Sequence, residues 1–296
     1  MMNNFKRVIK ITIGEAVFTN DELEIRFEAP FDDDVKPNQS KVQLYNLSQT
    51  TISKLKRGQT ATIQAGYEGD IGVLSSGKVS TVLTKWEGVN KITTIYFIEG
   101  DDFTRIKVNV TNADKNTIRY HRDGVFQGQV VESSLGIGFK AGTDGLTIIK
   151  RLVSLLGIKL GAPIVLKKNM IYKKGYLVTQ LIMNNLEEVV RDCGSIMYHR
   201  RGKLNIRTLE MGTDENFILE ENTGLIGIPS EFEETNKKGT QDVTYKGYTV
   251  KCLLQHRITT CSILTIKSRS ANGKYRAYKG KHIADANDFY TEFNVV

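Results

Sequence analysis

The side chains able to do chemistry are four histidines, three cysteines and three acidic groups, and their spacing sets what they could do. His121, His199, His256 and His282 stand far apart, and none belongs to an HExxH or HxH ligand pair. His256 lies five residues before Cys261. A Cys–His nucleophile pair needs a third group to orient it, and the apolar run beside Cys261 reads as core instead. Glu231, Glu233 and Glu234 offer the carboxylates of a glycoside hydrolase, but one of such a pair needs an apolar pocket to hold its proton. Their Glu-rich, Lys-flanked surroundings read as a wet loop. Asp32, Asp33 and Asp34 would suit a divalent cation only if folded inward, and the glycine and distal glutamate of a calcium loop are missing. A solvated acidic loop is expected there. The chain has neither GxSxG nor GxxxxGK[ST]. The expectation is a protein that is not an enzyme, with no catalytic, cofactor-binding or metal-binding residues.

Charge offers a second kind of function. The chain of 296 residues carries 41 Lys and Arg against 33 Asp and Glu, a net charge of +8. Lys150 to Glu210 holds 12 basic and 4 acidic residues, whereas Met211 to Glu234 holds 7 acidic and no basic ones. Adjacent patches of opposite sign suit subunit contacts at least as well as nucleic acid. His199, Arg200, Arg201, Lys203 and Arg207 cluster on a tight hairpin, the leading candidate for a phosphate contact, although no aromatic platform accompanies them. Cys193, Cys252 and Cys261 are too few and too scattered for a disulfide framework, so buried free thiols and a reducing place of synthesis are expected. There is no run of 18 apolar residues to span a membrane, and the N-terminus reads as a strand rather than a signal peptide.

These residues must be positioned by a fold that reads as α+β, mainly β. Alternation marks strands at Val8–Ile13, Glu22–Phe27, Lys41–Asn46, Thr60–Ala65, Ile71–Leu74, Val79–Trp86 and Lys91–Glu99. Ser48 is placed to cap a short helix carrying Ile52 and Leu55, which Gly58 would end. Trp86, the single tryptophan, is expected to anchor an edge of the core. Lys107 to Gly142 reads as a long connection. Leu146, Ile149, Leu152, Val153 and Leu156 predict an amphipathic helix stopped by Gly157. Asn184 and Asn185 read as the cap of a second helix carrying Leu186, Val189, Val190 and Cys193, with Glu188 completing a capping box. Strands at Tyr248–Leu254, Ser262–Lys267, Gly273–Lys279 and Phe289–Val295 complete a small barrel. The expected domains are an N-terminal antiparallel β-barrel over 1–106, a central helix and hairpin segment over 107–210, and a C-terminal β-barrel over 211–296.

Two ordered sets of residues resemble a known family. PNQSKVQLYNLS (Pro37–Ser48) followed by GQTATIQAGYEGDIGVLSSG (Gly58–Gly77) is similar to the N-terminal domain of phage baseplate hub proteins. GLIGIPSEFEET (Gly224–Thr235), KGYTVKCLLQHRI (Lys246–Ile258) and GKYRAYKGKHIADANDFYTEF (Gly273–Phe293) resemble their C-terminal domain. The pattern departs at Thr259-Thr260-Cys261, where such proteins tend to have a glycine in the turn. The resemblance implies a structural subunit of a contractile phage tail or phage-tail-like bacteriocin, located in the virion baseplate and assembled in the host cytoplasm. It implies a homotrimer whose paired barrels form a pseudo-sixfold ring around the tail channel. The implied partners are the tail tube or tube-initiator protein, the central spike, baseplate wedge proteins and the tape-measure protein. DNA is only passing cargo, and no stable membrane binding is implied. The alternative is a basic nucleic-acid-binding β-barrel protein.

Overall fold

The structure, a computed structural model, describes residues 6–101, 103, 137–238 and 241–296. The expected boundary near Ile106, most of the Lys107–Gly142 connection and His121 lie outside the described residues. The chain divides into two compact units: Met1–Asp101 with Tyr198–Lys203 and Met211–Val296, and Asp102–Met197 with Leu204–Glu210.

The first unit begins with β1 (Arg7–Ile13), β2 (Ala16–Thr19), β3 (Ile25–Phe31) and β4 (Gln39–Tyr45). Helix α1 (Gln49–Lys54) follows, with Thr51 N–H donating to the Ser48 hydroxyl at 3.1 Å as the sequence predicts. It ends earlier than expected, at Leu55, which is buried in the core with Ile52 packed behind it. Next come β5 (Thr60–Tyr67), β6 (Asp70–Glu87) and β7 (Asn90–Glu99). The break expected at Ser76-Gly77 does not occur, and β6 runs through it for 18 residues. A β-carbon at Gly77 would lie 1.8 Å from the Ile98 carbonyl oxygen, so the glycine here permits close approach of two backbones and ends nothing.

In the second unit β8 (Ile137–Phe139) and β9 (Thr143–Asp144) precede α2 (Gly145–Leu156). Asp144 caps α2 through Thr147 N–H, and Gly157 closes it with φ +67°. Then come β10 (Ile171–Tyr172), β11 (Tyr176–Val178) and α3 (Ile182–Asp192). The asparagine cap predicted for α3 is not there. Asn185 sits one turn inside the helix, where its amide donates to the Thr179 and Leu181 carbonyls at 2.8 Å each. It satisfies carbonyls of the incoming chain, so the helix starts three residues earlier than its asparagines suggest. The two helices are in contact, and Ile149, Leu152, Leu186 and Val189 of their apolar faces are all buried. A hairpin of β12 (Ser195–Arg200) and β13 (Lys203–Thr208) follows, of which Tyr198–Lys203 counts with the first unit.

The chain closes with β14 (Thr213–Leu219), β15 (Leu225–Lys238), β16 (Gln241–Leu253), β17 (Ser262–Lys267), β18 (Asn272–Ala284) and β19 (Phe289–Val295), all in the first unit. The mainly β, α+β class is as expected, but the two closed barrels are not. One 13-stranded sheet runs β15-β16-β19-β18-β3-β4-β7-β6-β5-β1-β2, with β14 and β17 attached through β18. Its halves are stitched by β18 and β3, where Gly280 faces Phe31 and Ala284 faces Phe27. Two cores form on it, and they exchange residues. Leu254, Ala284 and Phe289 join the N-terminal core, and Phe31 joins the C-terminal one. The two halves are thus joined by a strand pair and by exchanged core residues.

Candidate assembly surface

Several of the residues with chemistry in them are buried. His199 is buried and burial pushes its pKa down to about 4; His282, also buried, falls to about 3 for the same reason. Its Nδ1 lies 2.8 Å from the Thr291 hydroxyl. His256 Nε2 stands 2.9 Å from Asp70 Oδ1, and Arg257 donates to the other oxygen at 2.7 Å. The other ring nitrogen faces bare backbone, since a side chain added at Gly72 would begin 2.1 Å from His256 Nδ1. Cys261 is not its partner. Its buried sulfur accepts from Arg276 at 3.1 Å, and burial raises its pKa. Cys193 and Cys252 are buried free thiols as expected. Cys261 also adopts φ +56°, the left-handed turn geometry that glycine takes without strain.

The acidic and basic groups are corrected more strongly. Asp33 is no solvated loop residue: it is buried and receives Arg276 at 3.2 Å. Among the described residues no cluster of His, Cys, Asp or Glu could hold a metal ion. Glu231, Glu233 and Glu234 lie on strand β15 instead of a loop, with Glu233 3.0 Å from Lys246 and Glu234 paired to Lys279. The basic hairpin is partly paired: both ring nitrogens of buried His199 and the Nε of Arg201 and Arg207 lack a hydrogen-bond partner among the described residues, and Lys203 is exposed. Arg200 pairs with Glu215 in a largely buried contact, and Arg201 donates to the His256 carbonyl at 2.9 Å. The buried Glu99 carboxylate accepts Gly202 N–H at 3.0 Å, and burial lifts its pKa to about 7. Arg200 and Arg201 are thus engaged by protein groups while Lys203 is exposed, so the charges clustered in sequence do not stand together as one phosphate contact.

What faces outward is sheet edge. β5 covers β6 only as far as Lys78, so among the described residues no strand lies beside the outer side of β6 from Thr81 to Glu87. Leu83 and Trp86 stand on this stretch, 56% and 69% exposed, with Val89 in the following turn. Trp86 is therefore not the core anchor the sequence suggests. At the β15 end of the path, β15 pairs among the described residues only with β16, and its exposed residues include Ile228 at 65%. Each edge sets exposed apolar groups beside features that limit indiscriminate strand addition, Lys85 and Glu87 on β6 and Pro229 with a bulge between Ile226 and Ser230 on β15. Sequence reasoning missed both edges; the signal available was the run Leu83-Thr-Lys-Trp-Glu, which alternates no apolar face.

The two edges are related by the order of the sheet. Outward from the β3–β18 seam, the hairpin β3–β4 is followed by β7–β6, and β18–β19 by β16–β15. Eight strands lie from β15 to β6 and every neighbouring pair is antiparallel. β15 and β6 therefore run in opposite directions. A second copy turned about an axis along the strands would bring its β15 antiparallel to the first copy's β6.

No protein-family model and no curated protein matches the chain. Solved structures do. The 43 kDa tail protein of prophage MuSo2 from Shewanella oneidensis matches with a TM-score of 0.62 at 10% identity, covering 98% of both chains. A tail protein from Neisseria meningitidis matches with 0.59 at 8% identity, covering 98% of this chain and 96% of that one. An E. coli component of the type VI secretion system, described as structurally similar to the T4 bacteriophage tail proteins gp27 and gp5, matches with 0.56 at 8% identity. It covers 97% of this chain and 76% of the other. At these identities the shared property is the fold.

Proposed function

We propose that the chain is a structural baseplate hub subunit, joining a tail tube to the central spike and baseplate. The observation that carries this reading is the end-to-end match of its fold to tail proteins, over 98% of the chain. The sequence resemblance at Pro37–Gly77 and Gly224–Phe293 points the same way. Its work is assembly and transmission of force, not chemistry, in keeping with the burial of His199, His282 and the three cysteines. Three copies form a ring around a channel, with the two halves of each sheet standing as pseudo-equivalent units. The opposed directions of β6 and β15 support such closure, because head-to-tail contacts that close a rotation leave no free edge. The partners are the tube or its initiator, the spike, wedge proteins and the tape-measure protein, within a virion or a phage-tail-like particle.

The test is the native mass of the purified chain, alone and mixed with spike and tube proteins. Three 33.3 kDa chains give a species of about 100 kDa under closed threefold symmetry. A strict monomer in every mixture overturns the hub reading.

A further inference from the structure

The second unit exposes its apolar side chains in one place. Among its described residues the exposed large apolar side chains are Met170, Ile171 and Leu177, all on the β10–β11 segment, with Ile171 57% exposed. Their exposure has a structural cause. Tyr172 and Tyr176 turn toward α3, pack edge to face at 5.1 Å, and donate to Asp192 and Glu188 at 2.9 Å each. Ile171 and Leu177 are next to these tyrosines in sequence, and strand alternation turns them to the opposite side.

Lysines surround that apolar tip. The Tyr172–Gly175 turn carries exposed Lys173 and Lys174, and Gly142 N–H donates to the Tyr172 carbonyl at 2.9 Å, bringing the turn that holds exposed Lys140 beside it. Lys168 is exposed just before Met170. The nearby acids are engaged elsewhere: Asp192 and Glu188 by the tyrosines, Asp144 by the α2 cap and Asn169, and Glu210 by Lys167 at 2.8 Å. The described residues of this unit hold 10 Lys and Arg against 5 Asp and Glu.

We propose that this tip, Met170, Ile171 and Leu177 within a collar of Lys140, Lys168, Lys173 and Lys174, docks reversibly on an anionic lipid surface. The two features belong to one ligand. Apolar side chains gain only where there is an apolar layer to enter, and lysines at its rim gain from anionic headgroups, so together they fit the interface of a charged bilayer. Nucleic acid fits less well. It would use the lysines but leave the aliphatic groups in water, and the two tyrosines that could stack on bases are turned away. The proposal stands independently of the hub reading, and no helix of the described residues is long and apolar enough to cross a membrane.

The test is co-sedimentation of the full chain with vesicles of phosphatidylcholine containing phosphatidylglycerol, against phosphatidylcholine alone. Binding to the mixed vesicles only, falling as salt rises, is expected. Ile171→Ser with Leu177→Ser should weaken it by about tenfold or more, and Lys173→Gln with Lys174→Gln by a similar factor. All four positions are exposed, so unchanged circular dichroism confirms that the variants fold. Absence of binding to the mixed vesicles overturns the proposal. So does binding that the serine variant retains in full, or tight binding of duplex DNA that depends on the lysines with no affinity for vesicles.

Discussion

Glu99 is a carboxyl group that folding pushes toward its protonated form. Burial lifts its pKa from 4.5 to about 7, against the opposing hydrogen bonds from Gly202 N–H and the Asn38 side chain. A pKa raised by folding means that the native chain binds the proton more tightly. Its contribution is intact below about pH 4.5 and is lost as pH rises through 7. Glu99→Gln copies the shape of the protonated acid and keeps an oxygen for Gly202. The variant should match the wild type near pH 4 and be more stable at pH 8, by about 1–3 kcal/mol, in urea denaturation at the two pH values. His199 and His282 act in the opposite direction. Their pKa values are held down at about 4 and about 3 by burial, so their share of stability is present above the usual histidine pKa and drains as pH falls through the folded values. In the variant that acid loss stands alone, and its stability should fall more steeply than the wild type's below pH 6.5. Equal stability of the two proteins at pH 8 would show that Glu99 is not held in a dry site.

At the scale of elements, glycines along the sheet separate two roles that look alike in sequence. Gly58, at φ +86° with open space where a side chain would be, only turns the chain. Gly58→Ala should cost about 1 kcal/mol, the penalty of a left-handed L-residue. Gly77 has ordinary backbone but no room, so Gly77→Ala must part β6 from β7 and should cost about 3 kcal/mol or prevent folding. Thermal denaturation of the two variants ranks them, and the reverse order would contradict the close strand approach. The same contrast explains what could be read in advance. The strand at Lys41–Asn46, the Ser48 cap and the stripe from Leu146 to Leu156 were legible because period, cap and stop are local. Gly77 was misread as a break because the carbonyl that makes it necessary belongs to another strand. Asp33 and Arg276 are 243 residues apart, and no local pattern tells a buried ion pair from a wet acidic loop. The pairing of β3 with β18 is equally silent in sequence, and without it two alternating halves read as two barrels. The edge at Trp86 was missed because the only tryptophan is by default assigned to a core.

At the scale of the whole molecule, the two free edges make the mode of assembly testable separately from its stoichiometry. Lysine on an edge strand is a standard block to strand addition. Leu83→Lys with Trp86→Lys should spoil the β6 edge, and Ile228→Lys the β15 edge. These side chains are exposed, so each variant should keep monomer stability within about 0.5 kcal/mol. If copies join head to tail, each variant alone has one sound edge and one spoiled edge, and every contact in its ring would use a spoiled edge. Neither should give a ring. Mixed together, the sound β15 edge of the first variant meets the sound β6 edge of the second. One contact forms and cannot propagate, giving a species of about 67 kDa and nothing larger. An interface of like with like behaves differently, since the β6-blocked variant would still pair through β15. Native mass of the two variants, separate and mixed, therefore distinguishes the arrangements. A ring of about 100 kDa from either variant alone would place the contacts between copies on some other surface.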